Sequence, residues 1–276
     1  AFDAAFAGCD AVVHAAADPD LPLDQRHEGY QHNCRLIIAS INRSPTITRV
    51  VYTSSAAAIA GDDDIMEYKS RPVIDEARRP DEADEGRRLN GYVRGKLACE
   101  RLFFAASSSS GGRWEAIVVN PTDNIGPILA KHQADVRQAW APWHCTVAKI
   151  LEGREFQHNF GLRPWWTVDV RDTAEVHVRL LESHNPVGGE RYLVCAGDVI
   201  AVEAIGERIV NMLPEANFRP ATEPVPFEGS GVPADVVRAV WANCKLCNGK
   251  VRSEVGITFR PLSASLRDCV ESLIAV

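Results

Sequence analysis

Three short apolar runs, each ending in small, hydroxyl or amide residues, constrain this chain more than any other feature. They are AVVHAAA (Ala11 to Ala17), RVVYTSS (Arg49 to Ser55) and WEAIVVN (Trp114 to Asn120). Runs that stay apolar without alternating read as strands covered on both faces, which is how parallel sheets are built. Between the first two runs, Gln31 to Asn42 has helical spacing with Leu36, Ile37, Ile38 and Ile41 facing inward. Between the second and third lies a further amphipathic helix, Tyr92 to Ala106. Strand, helix, strand, helix, strand is the order of an open α/β sheet, whose ligand crevice lies beyond the carboxyl ends of the strands. Ala15 to Ala17, Ser54 and Ser55, and Asn120 to Thr122 are thereby expected at one edge. His14, inside the first strand, reads as a core histidine.

The second helix carries the chemistry. Tyr92 and Lys96 are four residues apart, which stacks them on one face one turn from each other. A phenol with an ordinary pKa of about 10 is a poor proton carrier at neutral pH, but an ammonium beside it favours the phenolate and brings it into range. Five tyrosines and six lysines in 276 residues supply roughly 0.1 such pairs by chance, so the pair alone is a weak motif. Its weight comes from its place between the strands ending at Ser55 and at Asn120.

The rest of the chain bounds the function without choosing it. A net charge of −7 and a pI near 5.7 argue against nucleic acid and anionic membranes as partners. No apolar run reaches the length of a membrane span, and the first residues lack the basic flank of a signal peptide, so a cytoplasmic protein is expected. Of eight cysteines, most sit in apolar stretches, and the lone CxxC, Cys244 and Cys247, has no second pair to complete a zinc site. Residues 62–90 read as a polar connection with a turn of helix. Residues 128–166 are rich in Trp and His (His132, Trp140, Trp143, His144, His158, Trp165, Trp166); singly these favour packing, and together they form a candidate substrate wall. Helices are expected over Thr173–Ser183, Val202–Leu213 and Arg260–Ile274, and a strand over Arg191–Ala196.

Six motifs in order cover nearly the whole chain: GCDAVVHAAA (Gly8 to Ala17), VVYTSSAAA (Val50 to Ala58), GYVRGK (Gly91 to Lys96), NPTDNIGP (Asn120 to Pro127), TVDVRDTAEVHV (Thr167 to Val178) and EVGITFRPLSASLRDCVESL (Glu254 to Leu273). In this the chain resembles the extended short-chain dehydrogenase/reductases of the NAD-dependent epimerase/dehydratase superfamily, in the dihydroflavonol reductase, cinnamoyl-CoA reductase and 3β-hydroxysteroid dehydrogenase-like branch. The resemblance implies a Rossmann-like doubly wound parallel sheet with a smaller C-terminal substrate lobe. Residues 1–127, rejoined by about 165–200, would form the dinucleotide-binding core, and 128–164 with 201–276 the lobe. It implies NADP or NAD as cofactor and hydride transfer with a carbonyl or alcohol substrate. Tyr92 would be the acid-base residue, Lys96 would also hold the nicotinamide ribose, and Ser55 would bind the substrate oxygen, with Ser54 in that role if the alignment shifts by one. Ala15, Ala16, Ala17, Thr53, Ser54, Asn120, Pro121 and Thr122, together with Tyr92 and Lys96, would line the cofactor. A homodimer is one assembly open to such a protein.

Two departures from the family pattern stand out. Leu36-Ile37 follows Asn33 where Gly-Thr is usual, and no strand precedes with a glycine-rich GxxGxxG turn to hold the pyrophosphate. About 60 residues, two strand-helix units, are expected to be absent, making the strand at Val12 an edge. Two other functions compete with the reductase. A nucleotide-sugar epimerase or dehydratase uses the same Tyr-Lys pair, against which Arg137, Arg154 and Arg163 are scattered rather than clustered as a diphosphate clamp. A silent fragment or binding module without a pyrophosphate site is the other.

Overall fold

The computed structural model describes residues 2–18, 20–60, 65–80, 89–130, 142–152, 164–185, 187–197, 199–201, 204–213 and 233–275. A short helix, α1 (Asp3–Phe6), leads into strand β1 (Ala11–His14), helix α2 (Arg26–Arg43) and strand β2 (Arg49–Thr53). A 3-10 turn at Ala56–Ala58, helix α3 (Ile65–Ser70) and strand β3 (Val73–Ile74) precede helix α4 (Gly91–Ser108) and strands β4 (Glu115–Pro121) and β5 (Asp123–Ile125). Next come α5 (Pro142–Leu151), β6 (Pro164–Asp169), α6 (Val170–Glu182), β7 (Arg191–Val194), β8 (Val199–Ala201) and α7 (Ile205–Met212). Helix α8 (Ala234–Asn243), strand β9 (Lys245–Leu246), a π turn at Val251–Val255 and helix α9 (Leu262–Ile274) complete the described chain.

Strands β1, β2, β4 and β7 form a fully parallel sheet in that spatial order. Its pleat sends alternate residues to opposite faces. Val50, Tyr52, Ala116 and Val118 pack against α2 and α4, through Tyr30, Cys34, Ile41, Cys99 and Phe103. Val51, Ile117 and Val119 pack on the other side against Val176 and Leu180 of α6. Two covered faces explain why these strands read as unbroken apolar runs. Among the described strands β1 is outermost on one side, and Val13 is exposed.

The expected elements are present with shifted ends. Helix α2 starts at Arg26 rather than Gln31, because its first turn is polar and carries no apolar periodicity, although Tyr30 is already buried. Leu36 was expected inward and instead lies 37% exposed. The buried stripe is Tyr30, Cys34, Ile37, Ile38 and Ile41, and Leu36 falls off its 3.6-residue period. The connection at 62–90 holds the expected helical turn, α3, together with β3, which pairs in parallel with β9.

A second core gathers Ile125, Trp143, Val147, Ile150, Trp165, Ile209, Leu262 and Leu266 around the small sheet of β5, β6 and β8. The TVDVRD motif ties this region to the main sheet. Asp169 accepts hydrogen bonds from Arg171 N and Ser265 Oγ, and Asp172 is paired with Arg260, so two buried carboxylates at the start of α6 hold α9 and the residues leading into it. Trp143 and Trp165 pack at a tilt with centroids 4.9 Å apart, and Trp166 packs edge-on against Trp241 at 5.2 Å. All four are buried packing residues. His132, Trp140 and His158 lie outside the described residues. Cys244 and Cys247 flank β9 and are both free thiols.

Candidate active site

Register places the three strand ends together. His14 of β1 lies opposite Tyr52 of β2, and Thr53 opposite Val119 of β4, so Ala15, Ser54 and Asn120 emerge side by side at the carboxyl edge. Helix α4 starts at this edge. Asn90 caps it, its side-chain oxygen accepting from Val93 N at 3.0 Å. Gly91 is jammed against the turn that leads into α2, since a Cβ there would stand 1.9 Å from the carbonyl oxygen of Leu23. Only glycine fits, and Tyr92 is thereby set at the mouth, edge-on to Tyr30 at 6.2 Å.

Lys96, one turn on, is 5% exposed, and its Nζ donates to the carbonyl oxygen of Thr53 at 2.9 Å. The rings of Tyr52, Tyr30 and Tyr92 lie 5.4, 5.8 and 5.8 Å from the ammonium, within reach of cation-π attraction. Burial pulls the Lys96 pKa down, opposed by Cys99, Cys34 and Glu100. The bond to Thr53 ties the helix to the end of β2 and leaves two of the three N–H donors of Lys96 for other partners. Ser55 caps the 3-10 turn, its Oγ accepting from Ala57 N at 3.1 Å. The hydroxyl hydrogen of Ser55 makes no bond to any described group and remains available as a donor.

The other nominated residues divide by exposure. Ala15, Ala16 and Ala17 are exposed and carry only methyl side chains, so a flat ligand can approach their backbone. Ser54, Asn120 and Thr122 are turned inward. Ser54 Oγ donates to Glu100 Oε1 at 2.5 Å, Asn120 Nδ2 donates to Glu100 Oε1 at 2.8 Å and to Ser55 O at 2.9 Å, and Thr122 Oγ1 donates to Val194 O. Pro121 is buried, and Thr53 Oγ1 is spent on His177 Nε2 at 2.7 Å. The opposite ring nitrogen, Nδ1, faces Thr173 O at 2.7 Å and must donate to it, so Nε2 accepts from Thr53. Burial holds the His177 pKa below the usual histidine range and so favours this neutral form. His14 is likewise held neutral, its pKa pulled down to about 4 by burial and then by Lys96, with Cys34, Tyr52 and Phe103 as neighbours.

Glu100, Arg191 and His177 were not singled out from sequence. Glu100 had a readable signal, a carboxylate on the apolar stripe that also carries Tyr92 and Lys96. The other two had none, because their partners lie far along the chain.

Residues 1–195 match the NAD dependent epimerase/dehydratase family. The chain belongs to that family. It is 28% identical over 245 residues to the ketoreductase azaE of Aspergillus niger, covering 86% of this chain and 66% of that protein. It is 24% identical over 226 residues to a dihydroflavonol 4-reductase of Gerbera hybrida, covering 78% and 56%. The chain thus spans 66% and 56% of the length of these two relatives. In three dimensions it superposes on yeast methylglyoxal/isovaleraldehyde reductase Gre2 complexed with NADPH with a TM-score of 0.75 at 21% identity, covering 99% of this chain and 80% of that one. The family resemblance read from the six motifs is borne out, as is the Rossmann-like α/β fold. No described helix is long and apolar enough to cross a membrane. The exposed Ala15 to Ala17 edge and the free donors of Lys96 fit the nicotinamide half of a dinucleotide such as this family uses.

Proposed function

We propose that this family member is an NAD(P)-dependent reductase of ketones or aldehydes, with Tyr92, Lys96 and Ser55 as its catalytic set. The observation that carries the reading is the buried Lys96 ammonium, fixed to Thr53 O at 2.9 Å one turn below Tyr92 and one strand end from Ser55. Bound NADPH or NADH supplies the hydride. The protein's own residues handle the proton and the geometry. Tyr92 gives its hydroxyl proton to the carbonyl oxygen as negative charge develops there. Ser55 donates its free hydroxyl hydrogen to the same oxygen. The fixed charge of Lys96 stabilises the phenolate left on Tyr92. Of the positions nominated for the cofactor, Ala15, Ala16 and Ala17 offer backbone and methyl surface, and Ser54, Asn120, Pro121 and Thr122 support the floor beneath it.

Nicotinamide fluorescence on titration with NADPH and then NADH, followed by a panel of aldehydes and ketones, tests the reading. Tyr92→Phe should lower kcat by about 10²- to 10⁴-fold, with nucleotide affinity within a few fold. Turnover retained in that variant would overturn the assignment.

A further inference from the structure

Beneath the crevice lies a buried ion pair with no part in the proton transfer described above. Glu100 is 0% exposed and Arg191, at the start of β7, is 3% exposed. Oε1 of Glu100 accepts from Ser54 Oγ, Asn120 Nδ2 and, at 3.4 Å, Arg191 Nη2, and its Oε2 faces Arg191 Nε at 3.0 Å. That contact is a charge pair without directed hydrogen-bond geometry, and Oε2 and Nε are both left without a hydrogen-bond partner. The exposed side chain of Arg79 approaches Oε2 at 3.6 Å. Arg191 also clamps backbone: Nη1 donates to Glu76 O and Arg78 O, and Nη2 to Ala58 O, all at 3.0 Å.

Stability is a poor explanation for such a pair. Burying two charges costs several kcal/mol of hydration each, and well-packed apolar side chains often serve a core as well or better. Placement is a better one. Tyr92, Lys96 and Glu100 follow at i, i+4 and i+8, one stripe of α4. Lys96 holds Thr53 O, Glu100 holds the Ser54 hydroxyl, and Asn120, itself held by Glu100, holds Ser55 O. Three consecutive residues at the end of β2 are thus attached to one stripe of one helix. Sliding or rotating α4 breaks all three attachments together.

We infer that Glu100, countered by Arg191, is a positioning residue that sets α4 against residues 53–55 and thereby sets how Tyr92 and Lys96 face Ser55. The functional half of this inference rests on the catalytic set proposed above; the geometric half does not.

Glu100→Gln is the direct test, read by kinetics and by backbone hydrogen exchange. An amide keeps the shape but removes the charge that Arg191 counters and places an NH2 among groups that now all donate to the carboxylate. The expected result is a 10- to 100-fold fall in kcat with NADPH affinity within threefold. Exchange should become at least tenfold faster over residues 53–58 and 91–97 and stay unchanged over α9. Should Glu100→Gln fail to fold, Ser54→Ala removes one attachment while leaving the charges paired, and a three- to tenfold fall in kcat with the same local exchange pattern is expected. Folded variants with wild-type kcat and wild-type exchange in both segments, or with only a lower Tm, would overturn the inference. A wild-type protein that reduces no carbonyl, beside variants that still loosen 53–58 and 91–97, would refute the reductase and uphold the positioning.

Discussion

Replacing Gly91 by alanine should damage this protein although alanine is the better helix former. In an unconstrained helix the change would favour the fold by about 1 kcal/mol. Here the added methyl would meet Leu23 O at 1.9 Å and Leu23 C at 3.1 Å. Both atoms are backbone, so no rotamer relieves the clash. Opening the first contact to 3.0 Å, below which real contacts of this kind hardly occur, moves the turn and the helix start apart by about 1.1 Å. Tyr92 is the next residue and moves with them. A misplacement of that size at reacting groups costs on the order of 10²-fold in rate, and the strain adds about 1–3 kcal/mol of destabilisation. The assay is kcat for NADPH-dependent carbonyl reduction, with Tm measured alongside. Gly249→Ala is the control, since its Cβ reaches only Cys247 Sγ at 3.8 Å, and should stay within twofold. A Gly91→Ala protein with wild-type kcat and an equal or higher Tm would refute the claim that this contact sets Tyr92.

Two further outcomes follow from the same geometry. His14 titrates near 4 when folded against 6.5 when unfolded, so the unfolded chain takes up the proton first, and stability present above pH 6.5 is lost as pH falls toward 4. His177 and His144, also lowered by burial, act with the same sign. In urea unfolding, wild type should lose about 2 kcal/mol more than His14→Phe between pH 7.5 and pH 5; equal losses would contradict the burial argument. Asn90→Ala removes the cap of α4 and should cost about 1 kcal/mol in the same assay, while Asn90→Asp should restore most of it.

The sheet and α4 were legible because their signals are local. An apolar run covered on both faces, or a helical stripe, is visible within a dozen residues. Leu36 was misplaced for the same reason, since in the run Leu36-Ile37-Ile38 hydrophobicity alone does not say which residue faces the sheet. The support of the site was largely illegible. Ser54 meets Glu100 46 residues away, Arg191 lies 91 residues beyond Glu100, and Thr53 meets His177 across 124 residues. Nor does spacing reveal that the Ser54 hydroxyl turns inward while that of Ser55 stays available, because the difference is made by a carboxylate on another element.

Arg191 also bears on synthesis. It comes late in the chain, yet it neutralises a carboxylate planted in α4 and ties down the backbone at Ala58, Glu76 and Arg78. Until β7 leaves the ribosome, the nascent chain carries Glu100 without its buried counter-charge, Arg79 being the exposed one, and the crevice floor has no finished form. The site is therefore completed by a strand that lends it no reacting group, and a nascent chain stopped before that strand would hold every proposed catalytic residue without the arrangement that makes them useful.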